Sequence, residues 1–426
     1  MNIEELYQLY LQFPSIQTDT RKLQPDDLFF ALKGPNFNGN EFAQKAIDGG
    51  AAFAIVDEAQ FAGSEKIIVV NDVLETLQQL ATHHRLQYNI PFIGITGTNG
   101  KTTTKELIHV VLSATYKTYT TTGNLNNHIG VPLTLLKVKK DAEMAVIEMG
   151  ANHIGEIASY CRIALPTHGL ITNCGKAHLE GFGSEESVKK GKGELYDHLR
   201  NSEGTVFVMW DYDYLKTMSN GIQKIITYGT RGAEITGHSL KSDPFLKVKF
   251  DEGFKGVIQT NLVGDYNLPN VLAALAVGKF FNVPEEKIRA AISNYYPSNS
   301  RSQLLQKGTN KIILDAYNAN PTSMKVAIEN LAKAREANKI LVLGAMAELG
   351  ESSLQEHKAI MNIIEKYSWK EVLLVGGDFV EMDHKYLQFA SSEDAGKWLQ
   401  QNKIHNSYLL IKGSRSMQME KILDYI

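Results

Sequence analysis

The sequence predicts an α/β protein of three domains, and three observations support this. Short apolar runs of strand type alternate with helix-period stripes along most of the chain, the pattern of a mostly parallel sheet with helices on both faces. A glycine-rich stretch at 97–101 stands between one such run and one such stripe, which places a loop of P-loop type in the middle of the chain. The alternation is preceded by a turn-dense opening and broken again at Tyr296-Pro297-Ser298-Asn299, where a linker is expected. The predicted parts are a small N-terminal αβ domain over 1–86, a central domain over 87–298 and a C-terminal Rossmann-like domain over 299–426. A chain of 426 residues gives each of them material for its own core.

In the first part, TDTRKLQPDDLFFALKGPNFNGNEF is dense in turn residues around one apolar patch at 28–32, a strand between loops. EFAQKAIDGGAAFAIVD reads as helix, glycine stop and strand, and a second apolar run at 67–70 leads into a helix over 73–86. Thr18, Asp19 and Arg21 sit in a loop where they could bind a polar ligand. Asp and Thr also favour turns through local hydrogen bonds, and both readings stand.

The stretch PFIGITGTNGKTTT organises the central part. Residues 92–95 form a buried strand, and beyond the glycines Leu107, Val110, Val111 and Ala114 recur at i, i+3, i+4 and i+7, one apolar helical stripe. Strand, glycine loop, helix is an order that holds phosphate. Gly97 and Gly100 let the backbone around Thr98 and Asn99 turn tightly and aim N–H groups inward, while the new helix, opening on Lys101, Thr102 and Thr103, presents the positive end of its dipole. Lys101 can then neutralise outer phosphates and the Thr102 hydroxyl can join a magnesium shell. The strict P-loop pattern wants glycine at 95; Ile95 stands there, with Gly94 one place earlier, so the motif present is GTNGKTT. A glycine turn that merely joins strand to helix is the plain alternative.

Ligands of such a sheet gather at the carboxyl ends of its strands, and three stretches fall there. MAVIEMGANHIGEI ends a strand on Glu148, where a phosphate-loop enzyme keeps a carboxylate for magnesium. GLITNCGKAHLEGFGS has a strand at 170–172 that opens into a polar loop with Asn173 and His178. SVKKGKGELYDHL is a basic helical segment with Lys189, Lys190 and Lys192, and composition singles out none of the three. Between strands, TTGNLNNHIGVP is a long polar loop able to offer Asn126 and Asn127 to a substrate, although asparagine is also a turn residue. LKVKFDEGFKGVIQT predicts an antiparallel hairpin at the sheet edge, turning at Asp251-Glu252-Gly253. GDYNLPNVLAALAVGKFF begins on Asn267 as an N-cap and carries Leu272, Leu275 and Ala276 inward; capping and packing alone would also account for Asn267 and Asn270.

The last part alternates again through KIILDAYNANP, KILVLGAMAELG, EVLLVGGDFV and YLLIKGSRSMQMEKIL, with each apolar run ending on Gly, Asp or Ser as in an open nucleotide-binding sheet. A helix from Ser353 is expected to open with a capping box to Glu356 and to bury Ile360, Ile363 and Ile364.

Composition narrows the function classes. Two cysteines, Cys161 and Cys174, make no disulfide framework, which favours a reducing compartment. No stretch approaches about eighteen uninterrupted apolar residues, and MNIEELYQLY is acidic and amphipathic, unlike a signal sequence; a soluble cytoplasmic protein without membrane insertion is expected. A formal charge of −3 argues against a general nucleic-acid surface while leaving room for a local basic pocket.

Taken in order, GTNGKTT, IEMGANHIGEI, ITNCGKAHLEGFGS, KGKGELY and DAYNANPTSM resemble the Mur ligases of bacterial cell-wall synthesis, over essentially the whole chain. Within that family GNLNNHIGVP, YNANPTSM, GAMAELGE and IKGSRSMQME are similar to the member that adds the terminal dipeptide. The Asp-Asn-Pro-Arg tetrad usual in the sister that adds the third residue is absent. The resemblance implies an ADP-forming ligase that uses ATP to join D-Ala-D-Ala to UDP-N-acetylmuramoyl tripeptide through an acyl phosphate, working as a monomer on small-molecule substrates. It implies Lys101 on the β/γ-phosphates, Thr102 and Glu148 on one Mg2+ ion, and His178 with Lys192 on a second. An ammonium has no acceptor for a cation, and the family answers this by carbamylating that lysine with CO2.

The same resemblance places Asn267 and Asn270 at the adenine, after Tyr266 where the family has histidine. Arg301 would reach the ATP phosphates from the last domain, a task suited to a fork of donors, and Asp315 and Asn318 would face the nucleotide. Leu314 and Ala345 stand where acids are common, and no role is carried onto them. Thr18, Asp19 and Arg21, with Lys33-Gly34 nearby, would bind the UDP end; Asn126 and Asn127 would line the muramoyl peptide; Lys412, Ser414 and Arg415 would lie near the incoming dipeptide. A site split between domains implies an open form without ligands and a closed one with them. Three other readings compete: a P-loop ATPase or kinase that makes ADP and no amide, a nucleotide-binding module without catalysis, and a folylpolyglutamate synthase of the same superfamily.

Overall fold

The computed structural model describes residues 1–241, 244–298 and 300–426. Its first sheet has four parallel strands in the order 16–17, 28–30, 53–56, 67–69. Alternation along these strands splits the core in two. Phe29, Ala54 and Val56 pack against Ala43 and Ala46 of the helix Ala43–Asp48, while Leu28, Phe30 and Ile55 join Leu6, Tyr10, Leu77 and Leu80 of the helices Ile3–Gln12 and Val73–Arg85. That second layer continues into the next sheet's core. Tyr10 donates its hydroxyl to the Leu136 carbonyl, and a ring nitrogen of His84 lies 2.8 Å from the Val138 carbonyl.

The central sheet has nine strands in the order 257–263, 245–252, 235–240, 224–229, 205–209, 168–171, 92–96, 144–148, 118–120. Its pairs are parallel except at one edge, where Phe245–Glu252 and Val257–Val263 form the expected antiparallel hairpin. Strands Phe92–Thr96 and Met144–Glu148 are buried at every residue, which is why they read as unbroken apolar runs: helices cover both faces. Lys101–Ser113 packs with Leu268–Phe280, and Glu156–Ala164 packs with Glu185–Asn201.

Three local expectations are corrected here. The buried stripe of Lys101–Ser113 is Leu107, Ile108, Val111 and Leu112; Val110 and Ala114 are only half-buried, because two partners, the sheet and the helix Leu268–Phe280, widen and rotate the apolar face. The strand expected at 170–172 runs His168–Ile171. Asn267 is no side-chain cap: a 3-10 turn Asp265–Asn267 already feeds the helix, so Asn267 sits in helical backbone and donates Nδ2 to the Val263 carbonyl at 2.9 Å.

Residues 295–298 carry no regular structure, and Asn299 lies outside the described residues. The last sheet has six strands in the order 303–307, 310–315, 408–412, 339–344, 371–375, 387–389, with one antiparallel pair at its edge. Ile313, Leu341 and Leu343 face Met324, Ile328 and Ile360. Ile312, Leu314 and Ile340 face Ala395, Leu399 and Met419. The helix Ser353–Ile364 has no capping box, a fourth correction: Ser352 precedes it without a side-chain bond, and Glu356 reaches out of the domain to Lys176 instead. Ile360 and Ile364 are buried as expected, whereas Ile363 is half-buried. Among the described residues no helix is long and apolar enough to cross a membrane, and both cysteines are free.

Candidate active site

Strand Phe92–Thr96 delivers the chain into Gly97 at φ +142°, and the helix Lys101–Ser113 starts after Gly100 at φ +81°, a region that side chains avoid. Space excludes a side chain too. A Cβ at Gly97 would lie 2.0 Å from Thr172 Oγ1, and one at Gly100 would lie 2.7 Å from Asn270 Oδ1. The neighbouring strand end pins the loop. Thr98 N–H donates to the Asn173 carbonyl at 2.9 Å and Asn99 N–H to Asn173 Oδ1 at 3.0 Å. Thr172 Oγ1 and Asn173 Nδ2 donate back to the Asn99 carbonyl at 2.7 and 3.0 Å. Asn173, legible in the sequence only as a polar strand-end residue, therefore builds the loop. Lys101 Nζ folds over it, donating to the Gly97 and Thr98 carbonyls at 2.6 and 3.1 Å.

Beneath the loop, Thr102 Oγ1 and Asn126 Nδ2 donate to Glu148 Oε1 at 3.2 and 2.8 Å. Glu148 is 1% exposed, and its second oxygen, Oε2, is buried with no hydrogen-bond partner. The backbone beside it is fixed by Thr121, whose hydroxyl accepts from Glu148 N–H at 3.0 Å and whose carbonyl accepts from the buried Lys105 Nζ at 2.6 Å. Neither Thr121 nor Lys105 stands out in the sequence, because the bonds that fix the backbone here join groups far apart in the chain; Lys105 also pairs with its neighbour Glu106 at 2.6 Å. A buried carboxylate with a bare oxygen beside a hydroxyl at a helix start is a hard-oxygen donor set that suits magnesium. Magnesium is ordinarily held by one or two protein groups plus phosphate and water.

Lys192 is 1% exposed and donates to the Ala151 carbonyl at 3.0 Å, with the Phe182 ring 5.2 Å from its nitrogen. Burial, then the nearby charge of Lys101, holds its ammonium down to about 7. Burial also lowers Lys101 to about 8, against the pull of Glu148 and with the push of Arg301. His178 takes a left-handed backbone at φ +52°, and its Nδ1 lies 2.5 Å from a carboxylate oxygen of Glu348 in the C-terminal part. That contact lowers the Glu348 carboxyl. The structure thus joins Thr102 to Glu148, while His178 and Lys192 each hold a different partner.

Both lowered lysines bind fewer protons folded than unfolded between those values and the ordinary 10.5. Their contribution to stability therefore rises with pH across that window, and the cost is complete below about 7. Lys192→Met is expected to raise the Tm relative to wild type most near neutral pH, the gap closing as pH rises toward the ordinary lysine range. Thermal melts across that range check it; a gap independent of pH would contradict the assignment.

The C-terminal part meets this site directly. Arg301 stacks its guanidinium 3.7 Å from the centre of the Tyr317 ring, leaves Nε buried without a partner and bears electrostatically on Lys101. Asp315 is held by Lys412 Nζ at 2.6 Å and by Ser302 N–H at 3.1 Å, and Lys412 also donates to the Asn318 carbonyl at 3.3 Å. Asn318 Oδ1 accepts from Ala319 N–H, and Ser414 Oγ from Ala347 N–H. Arg415 is exposed and paired with Glu420. Asn320 was readable only as part of NANP, yet it meets Asn99 of the loop through two amide hydrogen bonds. Lys176–Glu356 at 2.7 Å is a second unforeseen bridge.

Other candidate residues are mostly occupied locally. Asn270 bridges Thr104 Oγ1 and Asn267 beside Gly100, so both asparagines lie behind the loop. Asn127 Oδ1 accepts from Gly130 N–H at 2.8 Å and holds the turn, while Asn126 is the one that reaches Glu148. Asp19 and Arg21 form a two-bond pair, at 2.8 Å for each bond, at the surface near Thr18. Lys33 pairs with Asp57 at 3.0 Å.

Three family descriptions match successive parts of the chain: "Mur ligase family, catalytic domain" over 12–85, "Mur ligase middle domain" over 95–278 and "Mur ligase, glutamate ligase domain" over 300–415. Among curated proteins, UDP-N-acetylmuramoyl-tripeptide–D-alanyl-D-alanine ligase of Bacillus subtilis (strain 168) is 34% identical, across 96% of this chain and 92% of the relative. The protein of that name from Escherichia coli (strain K12) is 32% identical, across 98% and 95%. Among solved structures, MurF from Acinetobacter baumannii superposes with a TM-score of 0.88 at 30% identity, covering 96% of this chain and 92% of that one. MurF ligase from Thermotoga maritima in complex with ADP gives 0.86 at 26% identity, covering 97% of both.

Proposed function

The chain belongs to the Mur ligase family, and from that premise we propose that it joins D-Ala-D-Ala to UDP-N-acetylmuramoyl tripeptide at the expense of ATP, in the synthesis of peptidoglycan precursors. The observation that carries this reading at the site is the bare, buried Glu148 oxygen beside Thr102, at the head of the helix that follows a pinned glycine loop. A carboxylate is a poor electrophile, so amide formation in water needs activation. The tripeptide carboxylate attacks the γ-phosphorus of ATP, ADP leaves, and the acyl phosphate then receives the dipeptide amine; phosphate departs and the amine proton passes to solvent.

The chain's part in this is positioning and charge neutralisation. The N–H groups of the helix start at Gly100, Thr102 and Thr103 would bind the phosphates, Gly97, Thr98 and Asn99 would shape the loop around them, with the Thr98 and Asn99 N–H groups held by Asn173, and Lys101 with Arg301 would meet the outer charge. Asn267 and Asn270 would face the adenine, and Asp315 and Asn318 would face the nucleotide from the last domain. Thr102 and Glu148 would hold one Mg2+ ion, and His178 with a carbamylated Lys192 a second, once His178 gives up Glu348. Magnesium, when bound, spreads the negative charge of the transferring phosphoryl group. Carbamylation needs a neutral amine, and the burial that lowers Lys192 to about 7 supplies one. A 13C NMR carbamate signal is expected after incubation with 13C-bicarbonate, and absent from Lys192→Arg; its absence from wild type would remove the carbamate.

Residues 1–86 would take the UDP end at Thr18, Asp19 and Arg21, whose mutual pair must open to do so, and Asn126 and Asn127 would line the peptide. Residues 87–298 would hold ATP and 299–426 would close over it. The enzyme would act in a reducing compartment such as the cytoplasm, which suits a chain whose two cysteines form no disulfide framework. Phosphate release from ATP should require both the tripeptide and D-Ala-D-Ala, with a pentapeptide mass appearing in step. Phosphate without ligated product would move the reading to an ATPase.

A further inference from the structure

We infer that Asn320 is a positioning residue for phosphoryl transfer, coupling the docked C-terminal domain to the shape of the phosphate loop through Asn99; the inference rests on the ligase reading above. The backbone of Asn99 is fully engaged, its N–H by Asn173 Oδ1 and its carbonyl by the side chains of Thr172 and Asn173. Its side chain is thus rooted in the loop and points away from it. There it meets Asn320: Asn320 Nδ2 donates to Asn99 Oδ1 at 2.8 Å, and Asn99 Nδ2 donates to Asn320 Oδ1 at 3.4 Å. Two carboxamides satisfy one another in this way because each carries both a donor and an acceptor.

Asn320 has little freedom on its own side either. It caps the helix Pro321–Lys333, its Oδ1 accepting from Ser323 N–H at 2.9 Å and its N–H donating to Ser323 Oγ at 3.1 Å. Met324, Ile328 and Leu331 of that helix are buried in the domain's core. The amide pair therefore reads the position of the whole domain. The surrounding seam is continuous with the loop's own pins: a Cβ on Gly175 would lie 3.0 Å from Thr322 Oγ1, Thr98 Oγ1 accepts from Gly175 N–H at 3.0 Å, and the next residue, Lys176, bridges to Glu356. The same domain carries Arg301, whose charge bears on Lys101. A half-buried amide pair adds little binding energy. Its effect lies in being made only when the arginine and the loop are in register, so it acts on the barrier more than on nucleotide affinity.

The test separates this from plain helix capping. Asn320→Ser keeps a good N-cap but is too short to reach Asn99. Its kcat should fall about 10- to 100-fold while the KM for ATP stays within about 3-fold and the Tm holds. Asn99→Ala should lose a similar factor, and the double variant should be no slower than the slower single, the signature of one shared interaction. Losses that multiply in the double variant, a wild-type kcat in Asn320→Ser, or a rate loss that tracks the Tm would each overturn the inference. Wild-type enzyme that makes no pentapeptide would instead overturn the ligase reading, which the same assays report separately.

Discussion

Replacing Lys101 by methionine is expected to lower kcat/KM for ATP by about 10³-fold or more, chiefly through kcat. On the proposed reading the ammonium would meet the charge of the transferring phosphoryl group, and it stands at the first turn of a helix whose loop is already locked by Thr172 and Asn173. Methionine matches its stem but carries no charge and no donors. The N–H groups of the helix start and Arg301 remain, so nucleotide binding should weaken less than turnover. The fold should stand, because the ammonium bonds only carbonyls of its own loop and its burial already opposes its charge. Steady-state phosphate release with a thermal melt of the same sample checks this; a variant within tenfold of wild type would remove Lys101 from phosphate binding.

Glu148→Gln should separate function from stability more sharply. Turnover is expected to fall about 10³-fold, because an amide is a poor substitute for a carboxylate on a hard cation. Stability should stay within about 1 kcal/mol of wild type, because the amide oxygen still accepts from Thr102 and Asn126, and the relief of a buried charge is offset by an amide N–H2 brought to the partnerless place of Oε2 and by the loss of the counter-charge to Lys101. The rate therefore falls while the fold stands. Adding excess magnesium should not restore the rate, and the Tm gain that wild type shows with magnesium and ATP should shrink. A variant that is both slower and less stable would mean that Glu148 is a structural carboxylate.

The parts of this molecule legible in the sequence are those whose signal is local. GTNGKTT needs only adjacent residues to show a loop that side chains cannot enter, and the hairpin at 245–263 announces itself by alternation around a glycine turn. Glu148 was legible because a strand ends there. Caps are less legible, because they depend on where the first turn begins and on partners outside it: Asn267 lies inside a preceding 3-10 turn, and Glu356 is drawn away by Lys176. Of the seam between the central and last parts, the family resemblance implies only that the last domain meets the nucleotide, with Arg301, Asp315 and Asn318; its side-chain pairs are not legible. Asn99–Asn320, His178–Glu348 and Lys176–Glu356 pair residues that lie far apart in the chain, and each half has a sufficient local reading as turn, cap or surface charge.

The most direct measurement of the central claim follows one oxygen atom. UDP-N-acetylmuramoyl tripeptide labelled with 18O in its terminal carboxylate is incubated with ATP, magnesium and D-Ala-D-Ala, and the phosphate released is weighed. An acyl phosphate predicts one carboxylate oxygen in each phosphate for each pentapeptide formed, since the attacking oxygen stays on phosphorus when the amine displaces it. Unlabelled phosphate would mean that water, not the peptide, receives the phosphoryl group, and the ligase account would fall.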